Sequence, residues 1–316
     1  MKKYIISLSA FLIILFIVAF VIGQGNNTID TDDETTMFLS DDDNTEETKT
    51  VSALNHIEDN NSIHIYSALE MPRELKDKTK QILYRKGYIV SYNKDTKCPN
   101  WVSWHLTREH TDGPYPRRGV PYYTDDGSAY GIGVVTPETC RNGYFVDMDA
   151  KEPRQQLSDW SREYNMSHGH MCPAGDNKWD KAAINQSFLL TNICPQDEKL
   201  NGGGWKKLEE KCRKWANQYG DIYIVAGPVF SAPIYRTLGE GRIAIPDAFF
   251  KVVLCLQGTP KAIGFLYKND SSSQSMKESV CSVDEVEAIT ELDFFYSLPD
   301  NVEESVESLS SLKEWN

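Results

Sequence analysis

Apolar residues spaced three or four positions apart indicate the helices of this chain. Over 205–219 they fall on one face, as they do on an amphipathic helix. Residues 73–86 suit a second helix, one that ends before Gly87. The apolar positions of 286–292 suggest one further helix near the C-terminus.

Other segments have the patterns of strands and loops. Alternating apolar residues predict strands at 88–92 and 101–104, and short apolar runs predict buried strands at 221–226 and 249–256. Residues 108–145 are rich in Gly, Pro and Tyr, which predicts loops. Helices and strands mix without the regular alternation that builds a parallel sheet, so the predicted fold class is α+β.

The N-terminal residues 1–23 have the composition of a targeting or membrane segment. Lys2 and Lys3 precede an uncharged, apolar run of twenty residues, from Tyr4 to Gly23. Such a run spans a bilayer as a helix, and it also describes a secretory signal peptide; a buried core helix is the third alternative. The first two predict an exported protein, secreted or membrane-anchored at the cell envelope, with the membrane as a partner if the segment stays uncleaved.

Charge is distributed unevenly along the 316 residues. The formal net charge of −13 argues at first sight against a nucleic-acid partner. Residues 24–60, however, hold eleven acidic residues and one Lys, and 299–316 hold five acidic residues and one Lys. We predict an acidic, disordered spacer at 24–60, a frayed acidic tail at 299–316, and between them, at 61–298, one nearly neutral folded domain.

Seven cysteines bear on the compartment and on metal binding. In an exported chain they predict disulfides, with at least one thiol left over. No two cysteines have the Cys-x-x-Cys spacing that is typical of thioredoxin-like redox sites and zinc ribbons.

The segment 165–213 concentrates candidate chemistry. On a helix, Asn201 and Glu209 are roughly 80° apart in azimuth and Arg213 follows about 40° further, so one face can present all three. A hard divalent ion that keeps most of its waters needs few such ligands, and His170, with an ordinary pKa of about 6.5, suits a general base. Taken singly, Asn201 also fits a helix N-cap, and Glu209 with Arg213 fits a surface ion pair.

The order of these residues resembles a known family. The matching motifs are Gly169-His170, Asn192 with Pro195-Gln196, Leu200-Asn201 with Trp205, and Leu208-Glu209 with Arg213. In this combination the chain resembles the DNA/RNA non-specific endonucleases, which are ββα-metal (His-Me finger) nucleases. The weaker similarity extends over about residues 90–296.

The resemblance implies a fold, an activity and a role for each residue. The fold would be a central antiparallel sheet flanked by helices, and the activity hydrolysis of DNA and RNA with little sequence preference. By resemblance, His170 is the general base and Asn201 the ligand of Mg²⁺, with Mn²⁺ as an alternative. Glu209 holds the metal-bound water, Arg213 contacts the phosphate or supports the site, and Asn192 organises the site from a neighbouring strand. A second copy of the chain, in a homodimer, is a further candidate partner.

Two residues depart from the family pattern. Ser167 and His168 stand where the family has Asp and Arg. His168 offers at most a pH-dependent charge to a phosphate, whereas Arg is permanently charged. We therefore expect weaker activity or a preference for lower pH, unless Arg117 or Arg118 supplies the phosphate contact.

Two features of the domain bear on substrate binding and on the competing interpretation. The helix at 205–218 carries a net positive charge, which suits a phosphate backbone but also an ordinary solvated face. The residues Trp101, Trp104, Tyr122 and Tyr123 are candidates for base stacking, although core packing is the more common role of such residues.

The alternative from another class is an inactive, membrane-tethered binding domain in which disulfides act as staples. In that alternative, His168, His170 and Cys172 form a zinc or packing cluster.

Overall fold

A computed structural model describes residues 68–160, 165–231, 236–240 and 242–315. The predicted membrane or signal segment at 1–23 and the predicted spacer at 24–60 lie outside the described residues. Among the helices that are described, none combines the length and the apolar character needed to cross a membrane.

A seven-stranded sheet forms the centre of the domain, and its neighbouring strands are all antiparallel. The strand order is β14-β13-β12-β9-β4-β3-β2. Its strands are β2 (Gln81–Tyr84), β3 (Ile89–Asn93), β4 (Cys98–Thr107), β9 (Asp221–Val229), β12 (Ala248–Cys255), β13 (Lys261–Lys268) and β14 (Val280–Cys281).

Both faces of this sheet are covered. Along β12, Phe249 and Val253 pack into one hydrophobic cluster, while Phe250 and Val252 pack into another on the opposite face. Because successive side chains of a strand point to opposite faces, a sheet buried on both sides requires an uninterrupted apolar run. This explains why the run at 249–256 does not alternate.

The remaining strands form small two-stranded ladders. The one that matters for the site is a hairpin in which β7 pairs with β8 and His170 lies opposite Ile193. The other pairs are β1 with β15, β5 with β6, and β10 with β11. Their bounds are β1 (Arg73–Glu74), β5 (Cys140–Arg141), β6 (Tyr144–Phe145), β7 (Met166–His170), β8 (Ile193–Asp197), β10 (Thr237–Leu238), β11 (Ile243–Ala244) and β15 (Leu292–Asp293).

Six α-helices are present in the described part of the chain. The longest, α3, buries Leu208, Cys212, Trp215 and Ala216 against one face of the sheet, as the spacing predicts. The bounds are α1 (Lys181–Gln186), α2 (Glu198–Leu200), α3 (Lys206–Tyr219), α4 (Met276–Ser279), α5 (Val283–Thr290) and α6 (Asp300–Glu307). Short 3-10 turns lie at Ala68–Glu70, Glu109–Thr111, Leu157–Asp159, Ala174–Asp176, Leu190–Asn192 and Leu312–Trp315. The α+β prediction is confirmed.

The helix predicted at 73–86 is wrong. This segment forms β1 and β2, and β2 pairs along its whole length with β3. Leu83 points into the core whereas Tyr84 is 58% exposed, which is a strand alternation. Pairing with an edge of the sheet outweighs the local helical preference, and that pairing depends on residues outside the segment.

The C-terminal segment is not the frayed tail that its acidity predicts. Residues Asp300–Glu307 form α6, and Val306 and Trp315 are almost completely buried. The indole nitrogen of Trp215 donates a hydrogen bond to the carbonyl of Trp315 at 2.7 Å. A few apolar side chains in contact with the core are enough to order an otherwise charged segment.

All seven cysteines are free thiols, so the prediction of disulfides is not supported by the structure. Five of them are buried in the fold. Free Cys is among the most frequently buried residue types because it behaves as a small apolar side chain, and this use is unrelated to the redox compartment.

Candidate active site

A cleft of about 1220 Å³ opens beside the β7–β8 hairpin and the N-terminal half of α3. Two antiparallel strands and a following helix thus form one wall of the cleft. Apart from Arg117, which is described below, the sequence singles out seven residues as site candidates, and five of them line this cleft. These five are His168, His170, Asn201, Glu209 and Arg213.

His170 ends β7 with its ring in the cleft. The residue is 8% exposed, and its Nε2 has no hydrogen-bond partner among the described residues. Burial, together with the positive charge of Arg117 and the neighbouring His168, lowers the pKa of His170 to about 3. The imidazole is therefore neutral at physiological pH, as a general base must be.

Two aromatic side chains hold His170 in place. Trp205 donates its indole N–H to the carbonyl of His170 at 3.2 Å. The ring of Phe188 contacts the imidazole edge-on, with 5.0 Å between the two ring centroids. Both side chains are buried, so the base is fixed by packing as well as by its strand.

Asn192 does not line the cleft but supports its wall. It is fully buried, and its side-chain nitrogen donates to the carbonyls of Cys172 and Ser187, both at 2.8 Å. Its side-chain oxygen accepts the backbone N–H of Cys172 at 2.9 Å. Three hydrogen bonds from one amide join the end of β7 to the start of β8, which is a positioning role.

His168 is enclosed by two aromatic rings. Its centroid lies 3.8 Å from that of Trp160 and 4.2 Å from that of Tyr144. Burial, together with Arg141 and Arg117, lowers its pKa to about 4. His168 is consequently uncharged at neutral pH, so the pH-dependent phosphate contact expected from the sequence does not fit its surroundings.

Arginines nearby occupy the cleft instead. Arg117 and Arg141 both line it, whereas Arg118 lies over the ring of Tyr122, 3.7 Å from its centroid, and lines a separate small depression. Of the two substitutes considered for the missing family Arg, the geometry therefore favours Arg117 and not Arg118. Arg117 also donates to the hydroxyl of Tyr144 at 3.3 Å.

Asn201 lies in a π-helical turn, Asn201–Trp205, between α2 and α3. Asp197 caps this helical segment by accepting the backbone N–H groups of Lys199 and Leu200, so the N-cap interpretation of Asn201 is wrong. The backbone departs from helical geometry at Gly203. Such wide turns occur frequently at functional sites, and here the turn places the Asn201 side chain at the cleft.

Glu209 is a partly buried carboxylate near the start of α3. Its removal from water is the main cause that raises its pKa to about 7; Asp176 acts in the same direction, and Lys251 and Arg213 oppose it. A carboxylate that is costly to ionise in isolation gains stability from a nearby cation. Glu209 and the amide oxygen of Asn201 are hard oxygen donors of the kind that Mg²⁺ takes, so these residues fit the metal that the resemblance implies.

Arg213 forms its ion pair with Asp176 and not with Glu209. The distance between Arg213 Nη1 and Asp176 Oδ1 is 2.8 Å, and the other carboxylate oxygen of Asp176 accepts the indole N–H of Trp104 at 3.1 Å. Gly175 makes room for this contact, since a Cβ there would lie 2.7 Å from Arg213 Nη1. The guanidinium is therefore held in a fixed position at the wall of the cleft.

Two residues that support the site were not singled out by the sequence. Asp176 anchors Arg213, and Lys251 is fully buried with its ammonium 4.8 Å from the centroid of Trp104 and 4.5 Å from that of Trp205. A lysine within the apolar run of β12 was the available signal, because a charge in a buried strand needs a partner.

The aromatic residues proposed for base stacking lie elsewhere. Trp101 and Trp104 are core residues, each 2% exposed, and neither Tyr122 nor Tyr123 lines the cleft. The Tyr and Trp side chains that do line the cleft are Tyr144 and Trp160. The alternative zinc cluster also lacks support, because the ligand atoms of His168, His170 and Cys172 do not converge in the part of the chain that is described.

Comparison with known proteins places the chain among nucleases. It is 30% identical to the mitochondrial nuclease EXOG of Danio rerio over 179 residues, which are 53% of this chain and 45% of that protein. It is 27% identical to the human mitochondrial nuclease EXOG over 225 residues, 66% of this chain and 55% of that protein. The chain thus matches about half the length of these curated relatives.

The fold has a counterpart among solved structures. A crystal structure of an EndoG/EndoGI complex matches with a TM-score of 0.55 and 21% identity, covering 70% of this chain and 87% of that one. The similarity confirms the predicted ββα-metal architecture of a central antiparallel sheet flanked by helices.

The same comparisons correct the predicted location. Export to the cell envelope or beyond was inferred from an apolar run at 1–23, but the relatives are named as mitochondrial nucleases. A basic, apolar N-terminus is a weak guide because several targeting systems use one.

The family itself is established by a match over most of the domain. The family model described as DNA/RNA non-specific endonuclease matches residues 71–301, well over half of the chain. This range includes the hairpin, the π-helical turn and α3, which carry the site. The chain belongs to the DNA/RNA non-specific endonuclease family.

Proposed function

We propose that this protein is a metal-dependent endonuclease that hydrolyses the phosphodiester bonds of DNA and RNA with little sequence preference. The observation that carries the proposal is the convergence in one cleft of a neutral His170, the oxygen donors Asn201 and Glu209, and Arg213. Membership of the nuclease family supports the same activity.

His170 acts as the general base. A nitrogen of its imidazole takes the proton of the water that attacks phosphorus, and the ring is uncharged beforehand because its pKa is far below neutrality. The hydrogen bond from Trp205 to the His170 backbone holds the base in position. Two hydrogen bonds between the side chain of Asn192 and the backbone of Cys172, two residues after His170, fix the end of β7.

Asn201 is the residue that would bind Mg²⁺, with Mn²⁺ as an alternative, and Glu209 would hold the water bound to the metal. The bound ion supplies positive charge that stabilises the transition state and the leaving oxygen. Arg213, fixed by Asp176, and Arg117 present guanidinium groups to the phosphate from the walls of the cleft.

Basic residues in the cleft suit a polyanionic backbone without sequence selection. Lys178, Lys206 and Arg141 join Arg117 and Arg213 along its walls. Contacts with phosphates position a nucleic acid but carry no base information. The names of the relatives support a mitochondrial location for the protein.

The direct test is cleavage by the purified full-length chain. Plasmid DNA and single-stranded RNA are incubated with Mg²⁺ or with a chelator. We expect cleavage of both substrates with Mg²⁺ and a loss of at least about a hundredfold in His170→Ala, since a general base contributes a factor of that order. His105→Ala is the matched control, because His105 stacks on Tyr223 outside the cleft.

Two results would contradict the proposal. A wild-type protein that is inert with Mg²⁺ and Mn²⁺ between pH 5 and 9 would favour the inactive binding domain. Equal losses of cleavage in the His170 and His105 variants would remove His170 from the mechanism.

A further inference from the structure

Three carboxylates converge outside the cleft, at the two helices near the C-terminus. Asp284 and Glu287 lie one turn apart on α5, and Glu307 is the last residue of α6. One oxygen of each lies within 4.8 Å of the others. None of the three lines the cleft, so the cluster is separate from the proposed active site.

Packing of the two helices fixes this convergence. Val283 and Val286 on α5 and Val306 on α6 belong to the same buried cluster on one face of the central sheet. Each acidic residue of the cluster is next to one of these valines in the sequence, so the core fixes the backbone positions from which the three carboxylates extend.

Glu307 is the least expected member of the cluster. The residue is only 6% exposed, and its Oε1 has no hydrogen-bond partner among the described residues. A buried carboxylate oxygen without a partner is costly, and the C-terminal end of a helix disfavours negative charge. A cation or a proton between the carboxylates would therefore stabilise this arrangement.

The charges around Glu307 increase this requirement. Burial and the carboxylates of Glu287, Glu303, Asp284 and Asp293 all raise its pKa, to about 9. None of the groups that dominate its surroundings is a cation.

The carboxylate of Glu287 is already oriented as a ligand. Glu287 Oε1 accepts the backbone N–H of Phe294 at 2.7 Å, which fixes the carboxylate. Asp284 is exposed and leaves the cluster open to solvent on that side. A cation can therefore enter from the Asp284 side and complete its coordination with water.

We propose that Asp284, Glu287 and Glu307 form a binding site for a hard divalent cation, and that this cation is Ca²⁺. Oxygens that share a Ca²⁺ ion at 2.3–2.6 Å lie at most about 5 Å apart, which the spacing of the cluster satisfies. Three protein carboxylates and open water positions suit Ca²⁺ better than Mg²⁺, which dehydrates reluctantly. Bound Ca²⁺ ties the last residue of α6 to α5 and so stabilises the C-terminal part of the fold.

The experiment titrates CaCl2 into the full-length, chelator-treated protein and follows Ca²⁺ binding by calorimetry and thermal unfolding by circular dichroism. Wild type is compared with Glu307→Gln, which keeps the shape of the side chain, and with Glu304→Gln. Glu304 lies on the same helix, is exposed, and changes the net charge by the same amount. Any binding of Ca²⁺ in the catalytic cleft is common to all three proteins.

Wild type and Glu304→Gln are expected to bind one more Ca²⁺ than Glu307→Gln and to gain several degrees more in Tm. Asp284→Asn, a change at an exposed position, should weaken the same binding by roughly tenfold, given the dependence of Ca²⁺ affinity on ligand charge. Cleavage with Mg²⁺ should be unchanged in Glu307→Gln, so this test is independent of the proposed nuclease function.

A protonated Glu307 is the competing explanation, and it gives the opposite result. Gln mimics a neutral carboxyl group, so Glu307→Gln would then unfold at the same or a higher temperature, and Ca²⁺ would shift wild type and variant equally. Either equal Ca²⁺ stoichiometry or equal Tm shifts in wild type and Glu307→Gln would overturn the proposal.

Discussion

At the scale of single residues, the site depends on side chains whose ionisation differs from that in water. The pKa of His170 is lowered to about 3, whereas the pKa of Glu209 is raised to about 7. Burial is the first cause in both cases, because a low-dielectric environment disfavours the charged form of either group. Burial thus keeps His170, the proposed base, neutral and makes the Glu209 carboxylate receptive to a cation.

The raised pKa of Glu209 predicts how metal binding depends on pH. In the proposed site the ionised carboxylate of Glu209 holds the hydrated cation, so Glu209 must release a proton as the metal binds when the pH is below about 7. We expect the Mg²⁺ affinity to fall by up to about tenfold per pH unit as the pH decreases from 7 to 5.5, and to change little above pH 8. Calorimetric titration at several pH values measures this.

Glu209→Gln provides the control, because an amide cannot ionise in this range and its weaker Mg²⁺ binding should be independent of pH. A wild-type affinity that stays constant from pH 5.5 to 8 would show that Glu209 is already ionised or does not contact the metal.

Lys251 illustrates why the sequence alone does not identify every residue that supports the site. Its ammonium lies between the rings of Trp104 and Trp205, and it is one of the charges that lower the pKa of Glu209. In the sequence it is one lysine in an apolar strand, far from the motif segment. Only the pairing of β12 with β9, and of β9 with β4, brings it beneath α3.

At the scale of elements, the hairpin β7–β8 and helix α3 form the unit that carries the candidate site. The sequence predicts α3 with nearly correct bounds because five apolar residues repeat on one face. It does not predict the π-helical turn before α3, because three consecutive glycines permit many backbone conformations. That turn nevertheless determines where Asn201 lies.

Asn192 is the residue through which the hairpin positions His170. Asn192→Ala removes three buried hydrogen bonds, so we expect a loss of about 3 kcal/mol in the free energy of unfolding, at about 1 kcal/mol each. Cleavage should fall even under conditions where the variant remains folded, since the strand end that carries His170 loses its support. Urea unfolding and cleavage rates at 25 °C measure the two effects.

Asn217→Ala is a suitable control, because Asn217 is exposed on α3 and its side chain has two hydrogen bonds, to Arg213 O and from Thr111 Oγ1, neither of which involves β7 or β8. An Asn192 variant with wild-type stability and wild-type cleavage would contradict the positioning role.

At the scale of the whole molecule, net charge is a poor guide to the partner. The formal charge of −13 lies mainly in 24–60 and 299–316, whereas the cleft is lined by five arginines and lysines against Glu198 and Glu209. A phosphate backbone responds to the local field of the cleft, since exposed charges beyond about 10 Å are largely screened.

The C-terminal segment is also integrated at this scale. Trp315 is 1% exposed, and its ring lies 4.6 Å from that of Trp215 on α3. Trp315→Ala should lower the free energy of unfolding by about 4 kcal/mol, the usual cost of deleting a large aromatic side chain from a core. Chemical denaturation measures the loss.

Leu75→Ala is the control for this prediction, because Leu75 is 59% exposed and should have little effect. If Trp315→Ala were as stable as Leu75→Ala, the C-terminal segment would not contribute to the core.

The family, the α+β class and the long helix α3 follow from the sequence alone. These properties depend on local spacing and on an ordered set of motifs. The structure, in contrast, shows that the segment 73–86 contains the strands β1 and β2 and that the acidic C-terminal segment packs against the core. It also decided that Arg213 pairs with Asp176, and that Arg117 rather than Arg118 faces the cleft. These features depend on contacts between residues distant in the chain, which no local pattern encodes.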